Sequence, residues 1–276
     1  MDGVIIIKKL LFIVMLFIAG VTACTKKTAQ TDNKYETYHK EEEDNGDGSA
    51  DNSDEDASEA VEFSISPLSE TDNEIIQKLL QDFTEAAKKK DWNTVEPFFA
   101  MDKCIDGYNM EAAKETFGEN AKRPSKKDRI DKVSGMYILY VLGFALDAYE
   151  IDNLSAVELD ADTINDLIEV LDLDQLNILR FDTPMEENCN TESYKNMIGR
   201  RCYADGAENI AYQTILYELG GKTFYCGFSL YKYDGEWMIN ELSCGGLTYV
   251  DSYTVTMQCS EEDYFYIIGM EDSPIE

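Results

Sequence analysis

The only histidine in this 276-residue chain is His39, which stands just before a stretch, 41–59, made almost entirely of Asp, Glu, Asn, Gly, Ser and Ala. A histidine in such a segment cannot join a Ser-His-Asp or Cys-His pairing inside a folded domain. Hydrolases of those types are excluded, and histidine-based zinc sites with them. Gly220-Gly221-Lys222-Thr223 mimics the end of a phosphate-binding loop, but Leu216 stands where its first glycine belongs. It also links strand to strand, whereas that loop links strand to helix. Asp160-Ala161-Asp162-Thr163, with Asn165 and Asp166, offers oxygens of the kind calcium takes. It lacks the glycine and the terminal glutamate of an EF-hand loop, and Asp162 as a helix cap accounts for the same residues. Asp44-Asn45-Gly46-Asp47-Gly48 fails on the same spacing. No metal and no cofactor is expected.

One carboxylate remains, and its meaning depends on the strands around it. Ala211–Leu219, Lys222–Tyr233 and Glu236–Leu242 are rich in β-branched and aromatic residues. Gly220-Gly221 and Asp234-Gly235 separate them, both suited to two-residue hairpin turns. Such turns set the register. One face then carries Ile215, Tyr217, Phe224, Cys226, Phe228, Leu230, Trp237 and Ile239, a core face. Gln213, Phe228 and Glu241 fall in one cross-strand row on it. A carboxylate there is costly to bury unless paired, hydrated or functional, so Glu241, Gln213, Phe228 and Trp237 form the candidate pocket. The alternative is a rim position or a slipped register.

Helices must back that sheet. Asp72 can cap a helix that presents Ile75, Ile76, Leu79, Leu80, Phe83, Ala86 and Ala87 on one face, with Lys88-Lys89-Lys90 at its negative end. Asp91 can cap a short helix through Trp92, Val95 and Phe98, limited by Pro97. Ser125 can open a longer one, whose run Met136–Leu146 is apolar all round and therefore buried. Another helix is expected over Ala161–Leu171, and further strands near Tyr249–Met257 and Tyr264–Ile268. Helices followed by antiparallel strands indicate an α+β domain over 70–276, with N-terminal helices packed on a curved sheet from the C-terminal third.

The first residues address the chain. Lys8 and Lys9 precede an apolar run, Leu10–Gly20, too short for a membrane span of about 20 residues but suited to an export signal. Val21-Thr22-Ala23-Cys24 resembles the lipobox of bacterial lipoproteins. The resemblance implies a signal peptide over 1–23, diacylglycerol on the Cys24 thiol, and lipid anchoring at the extracytoplasmic face of the cell membrane. Residues 24–69 then read as an acidic disordered tether, which as a coil of ~45 residues would span about 35–40 Å. Outside the cytoplasm Cys104, Cys189, Cys202, Cys226, Cys244 and Cys259 can form up to three disulfides, with no connectivity preferred. Disulfides are the expectation and buried thiols the alternative. The net charge of −31 opposes nucleic acid and anionic head groups, and suits solubility at a crowded surface.

The opening helix, the Lys90-Asp91-Trp92 turn, and Tyr231-Lys232-Tyr233-Asp234-Gly235-Glu236-Trp237-Met238-Ile239 together resemble the nuclear-transport-factor-2-like (cystatin-like cone) superfamily, as it occurs in lipoproteins of gut Firmicutes. The resemblance implies helices wrapped against a curved sheet around a pocket, into which Glu241 would point. The expected function is a non-catalytic extracytoplasmic binding domain for a small ligand or an envelope protein. A carboxylate-dependent enzyme, such as a glycan hydrolase or an isomerase, and a structural surface protein are the alternatives.

Overall fold

The computed structural model describes residues 67–146, 161–184, 189–243 and 255–269. Cys24, His39, Cys244 and nearly all of the acidic segment lie outside these residues.

Helix α1, Glu70–Ala87, begins three residues earlier than an Asp72 cap implies. Ser69 is the cap, accepting from the Asp72 amide at 3.0 Å, while Asp72 in the first turn accepts from the Ser69 hydroxyl at 2.8 Å. The Ser-x-x-Asp device recurs at Ser125/Asp128 and Ser260/Asp263, each serine satisfying an amide that the helix itself leaves unpaired. Ile76, Leu80, Phe83 and Ala87 of α1 are fully buried, but Ile75 is 48% exposed and does not belong to the packed face. The lysines after α1 do not serve their own helix alone. Lys90, with φ of 53°, reaches the carbonyls of Ile168, Glu169 and Leu171 at 2.9, 3.1 and 2.7 Å. It thereby caps the C-terminal end of another helix.

Asp91 caps α2, Trp92–Val95, as expected, and Pro97 sits in the 3-10 turn that follows. Two short helices come next, α3 (Lys103–Asp106) and α4 (Met110–Phe117). Helix α5, Lys126–Ala145, is capped by Ser125 and buries Tyr137, Tyr140, Val141, Leu142, Gly143 and Phe144, the all-round burial that its composition predicts. Gly143 is required there, because a Cβ would lie 2.1 Å from the Thr256 carbonyl oxygen. Helix α6, Ala161–Val170, contains Asp162 in its first turn rather than at the cap. Strand β1, Asn177–Asp182, and helix α7, Glu192–Asp205, complete the middle of the chain.

The C-terminal third is the hairpin ladder β2 (Asn209–Leu219), β3 (Lys222–Tyr233) and β4 (Glu236–Ser243), followed by β5 (Thr256–Gln258). The antiparallel sheet runs β1-β2-β3-β4, with β5 pairing β3 beyond the end of β4. Both hairpin turns have two residues in the left-handed region, Gly220/Gly221 and Asp234/Gly235. The last expected strand, Tyr264–Ile268, is instead helix α8, Glu261–Ile267. Its aromatic and β-branched content suggests a strand. The Ser260/Asp263 cap and the spacing of buried Tyr264 and Ile268, with Tyr266 80% exposed, make it a helix.

The sheet is covered on both sides. Ile215, Tyr217, Phe224, Phe228, Leu230, Trp237 and Ile239 pack against α1 and α5. Phe83 and Tyr140 fill the centre, each with its ring centroid 5.2–6.5 Å from several other aromatic rings. The opposite face carries Ile210, Tyr231 and Tyr233 against Cys104, Ile198 and Cys202, and Leu216 and Tyr225 against α8. The molecule is α+β, with N-terminal helices on an antiparallel sheet drawn from the C-terminal third, to which the middle of the chain adds the edge strand β1.

Candidate functional site

The β2–β3 register is the expected one, with Gln213 opposite Phe228. Across the second turn it holds from Tyr233↔Glu236 to Leu230↔Ile239, then shifts: Ser229 faces Glu241 and Phe228 faces Leu242. Asn240 is the extra residue of a β-bulge. The expected row of Gln213, Phe228 and Glu241 is therefore not formed, because the bulge moves every residue after it to the other face. Gln213 is buried and donates to Thr183 Oγ1 at 2.8 Å. Phe228 lies in the filled aromatic centre. Trp237 donates from Nε1 to Asp72 Oδ1 at 2.8 Å. Glu241 is parted from these three.

The bulge has a non-local cause. Residues Phe99 and Ala100 run beside the free edge of β4, with the Ala100 amide donating to the Ile239 carbonyl at 2.9 Å. Arg129 of α5, only 5% exposed, then bridges the two segments. Its Nε donates to the Ala100 carbonyl at 3.2 Å, and its Nη2 to the Asn240 carbonyl and Oδ1 at 2.5 and 3.0 Å. A carbonyl turned out of the ladder by a bulge needs a buried donor, and Arg129 supplies it.

Glu241 thus joins a cavity of about 310 Å³ on the outer face, whose wall also includes Tyr108, Phe117, Lys122, Asp128, Arg129, Lys132, Arg201, Asp205 and Tyr231. Three local features set its shape. Gly206 ends α7 with φ of 68° and lies against Gly107 at the end of α3, so closely that a Cβ on Gly206 would be 2.2 Å from the Gly107 oxygen. Asp205 precedes Gly206, Cys104 lies on the helix that Gly107 ends, and both line the wall. Asn109 caps α4 and its amide donates to the Ala204 carbonyl at 2.9 Å, which holds α4 against α7 with Phe117 on the cavity wall. The bulge brings Asn240 and Glu241 in from the sheet.

The charges on the wall are not alike in their satisfaction. Glu241 pairs with Lys132 Nζ at 2.5 Å, with about a third of each side chain exposed. Asp205 accepts from the Tyr231 hydroxyl at 2.9 Å. Burial raises the Asp205 carboxyl above its ordinary value, opposed by the Tyr231 bond and the Arg201 charge. Arg201 donates from Nη1 to the Tyr212 hydroxyl at 2.9 Å, while its buried Nε has no partner. Burial pushes the Tyr231 hydroxyl far up, and it pushes the Cys202 thiol up to about 12, so neither supplies a nucleophile at neutral pH.

Disulfides are the expectation from the sequence, but among the described residues none links Cys104, Cys189, Cys202, Cys226 and Cys259. Cys104 donates to the carbonyls of Ala100 and Met101, and Cys226 to those of Gly227 and Ser243. A domain of this size has core enough to hold without cross-links. Among the described residues no group of three or more His, Cys, Asp or Glu could hold a metal ion, and no helix is long and apolar enough to cross a membrane. Nothing in the strand pattern points to Arg129, Arg201 or Asp205, which the structure adds to the site. Arg201 and Asp205 lie on α7, whose buried residues Ile198, Gly199, Cys202 and Ala204 are mostly small and leave little apolar periodicity to read.

No protein-family model and no curated protein matches the sequence. Among solved structures, the chain is similar to a cystatin-like protein from Ruminococcus gnavus, at 16% identity and a TM-score of 0.44. The likeness covers 69% of this chain and 46% of that one, so this chain matches less than half of that structure's length.

Proposed function

We propose that the protein is a lipid-anchored extracytoplasmic lipoprotein whose domain binds a small ligand in the outer-face cavity without transforming it. The observation that carries the binding part is a cavity of about 310 Å³, at the small end of ligand sites, with charged and aromatic side chains converging on it. The interior of the sheet, where the cone resemblance would put a pocket, is filled by Phe83, Tyr140, Tyr217 and Phe228. The two carboxylates most available for acid–base work are already engaged, Asp205 by Tyr231 and Glu241 by Lys132, which favours binding over a carboxylate-dependent enzyme. The anchor rests on the Val21-Thr22-Ala23-Cys24 sequence, and the acidic tether would hold the domain clear of the membrane.

Labelled palmitate fed to expressing cells should enter the wild-type chain and not Cys24→Ala. A wild-type chain without label would remove the anchor from this reading. Native mass spectrometry of the chain, extracted in detergent, should show a bound species that is released on unfolding. A Phe117→Ala, Lys132→Gln variant should carry less of it, and equal loading would move the binding site elsewhere.

A further inference from the structure

The cavity wall carries four cationic side chains, Lys122, Arg129, Lys132 and Arg201, against three carboxylates, Asp128, Asp205 and Glu241. This local excess of cations stands in a chain of net charge −31 with only 24 Lys and Arg. The pairing is also lopsided. Asp128 is engaged with Ser125, Asp205 with Tyr231, and Glu241 with Lys132. Neither arginine forms an ion pair with a carboxylate among the described residues. Arg129 spends its bonds on two backbone carbonyls and the Asn240 amide oxygen, and Arg201 makes one bond to a tyrosine hydroxyl and leaves Nε without a partner. Asp205 and Glu241 act on Arg201 through charge alone, with no carboxylate hydrogen-bonded to it; a guanidinium part-removed from water without such a bonded anion is incompletely compensated, and the wall keeps one cation more than it has carboxylates.

We propose that the ligand of this cavity is a small oxyanion-bearing molecule, its charged head seated against Arg201 with Arg129 and Lys132 nearby, and its body against Tyr108 and Phe117. This rests on the cavity being the binding site. A planar guanidinium donates two parallel hydrogen bonds to a carboxylate or a phosphate, which a neutral or cationic ligand cannot use. Phe117, 48% exposed, and half-buried Tyr108 offer apolar surface for the remainder of the molecule. The volume suits an organic acid of amino-acid or monosaccharide size. A second hollow of about 490 Å³ shares Phe117 and Arg201 with the first, leaving room for a longer body on the far side of the same arginine.

The test is calorimetric titration of the full chain in detergent with benzoate, inorganic phosphate, benzamide and benzamidine, alongside amide chemical-shift mapping. Benzoate or phosphate should bind and shift amides of residues 201–205 and 240–241, and benzamide should bind at least tenfold more weakly. Benzoate binding without phosphate identifies an organic acid, and phosphate without benzoate a phosphorylated compound. Arg201→Gln should weaken the anion at least tenfold while Arg201→Lys retains part of it, and both should leave the melting temperature within a few degrees. If either variant fails to fold, Lys132→Gln with the wild-type salt dependence serves instead: affinity should fall with both. Benzamide or benzamidine binding at these amides in preference to the anions would overturn the oxyanion assignment and leave the cavity as the site. Shifts confined to other surfaces, or no binding by any of the four, would overturn both.

Discussion

Asp72 joins α1 to the β3–β4 hairpin, and its removal is the sharpest test of how the helix is held on the sheet. Its Oδ1 accepts from Trp237 Nε1 at 2.8 Å and Lys232 Nζ at 2.9 Å, while Oδ2 accepts from Ser69. These donors, the Trp237 bond foremost, hold the carboxyl well below its ordinary value of 3.8. Trp237 is 5% exposed, so Asp72→Ala leaves a buried indole N–H unsatisfied at a cost of about 1–3 kcal/mol. The Lys232 pair, a quarter or less exposed on each side, adds about 0.5–1 kcal/mol, and the lost charge at the helix N-terminus about 0.3–1 kcal/mol. Together these give roughly 2–5 kcal/mol, or about 4–20 °C in melting temperature for a domain of this size. Asp72→Asn, which keeps an acceptor for the indole, should lose about half. In a Trp237→Phe background Asp72→Ala should cost about 1–2 kcal/mol less. Because the folded-state pKa is lowered, the stabilisation is complete above the unfolded value, declines below it, and is fully lost only as pH falls through the still lower folded value. Urea unfolding followed by tryptophan fluorescence should therefore show wild type and Asp72→Asn well separated at pH 7, with the gap only beginning to close below pH 4 and much smaller near pH 2. A gap of equal size at pH 7 and pH 2, or no gap at pH 7, would refute the role given to this carboxylate.

Asp205 has the opposite sign. Its folded-state pKa is raised by burial, so its contribution is most favourable below the unfolded value and is lost as pH rises through the folded one. Asp205→Asn, which keeps an oxygen for Tyr231, should raise the melting temperature at pH 7 and leave it unchanged near pH 3; a fall at pH 7 would show that Arg201 more than offsets desolvation. Gly206→Ala meets both a left-handed backbone and the Gly107 carbonyl, and should lower stability by about 2 kcal/mol or more and disturb the cavity through α3. Chemical denaturation of that variant, with Gly220→Ala at an open left-handed position of similar φ as the control, separates the contact from the backbone strain.

Much of the architecture is legible in the residue order because its causes are local. Serine caps and apolar spacing define α1 and α5, and the left-handed pairs Gly220/Gly221 and Asp234/Gly235 define two hairpins and the whole β2–β3 register. Where local preferences compete, the outcome is not legible: the aromatic run of α8 suits both periods, and the Ser260/Asp263 cap together with burial against Leu216 and Tyr225 selects the helix. The site was decided by tertiary structure alone. Nothing near residue 240 in the chain announces a bulge, since its stabilising donor is Arg129, 111 residues away, docked by a helix whose own position depends on the core beneath it. Side chains alternate with a period of two, so that single inserted residue carries Glu241 from the face of Trp237 and Phe228 to the face of Arg201 and Asp205. Composition and pattern determined that the chain folds as helices on an antiparallel sheet; a long-range hydrogen bond to one carbonyl determined on which side of that sheet its cavity carboxylate stands.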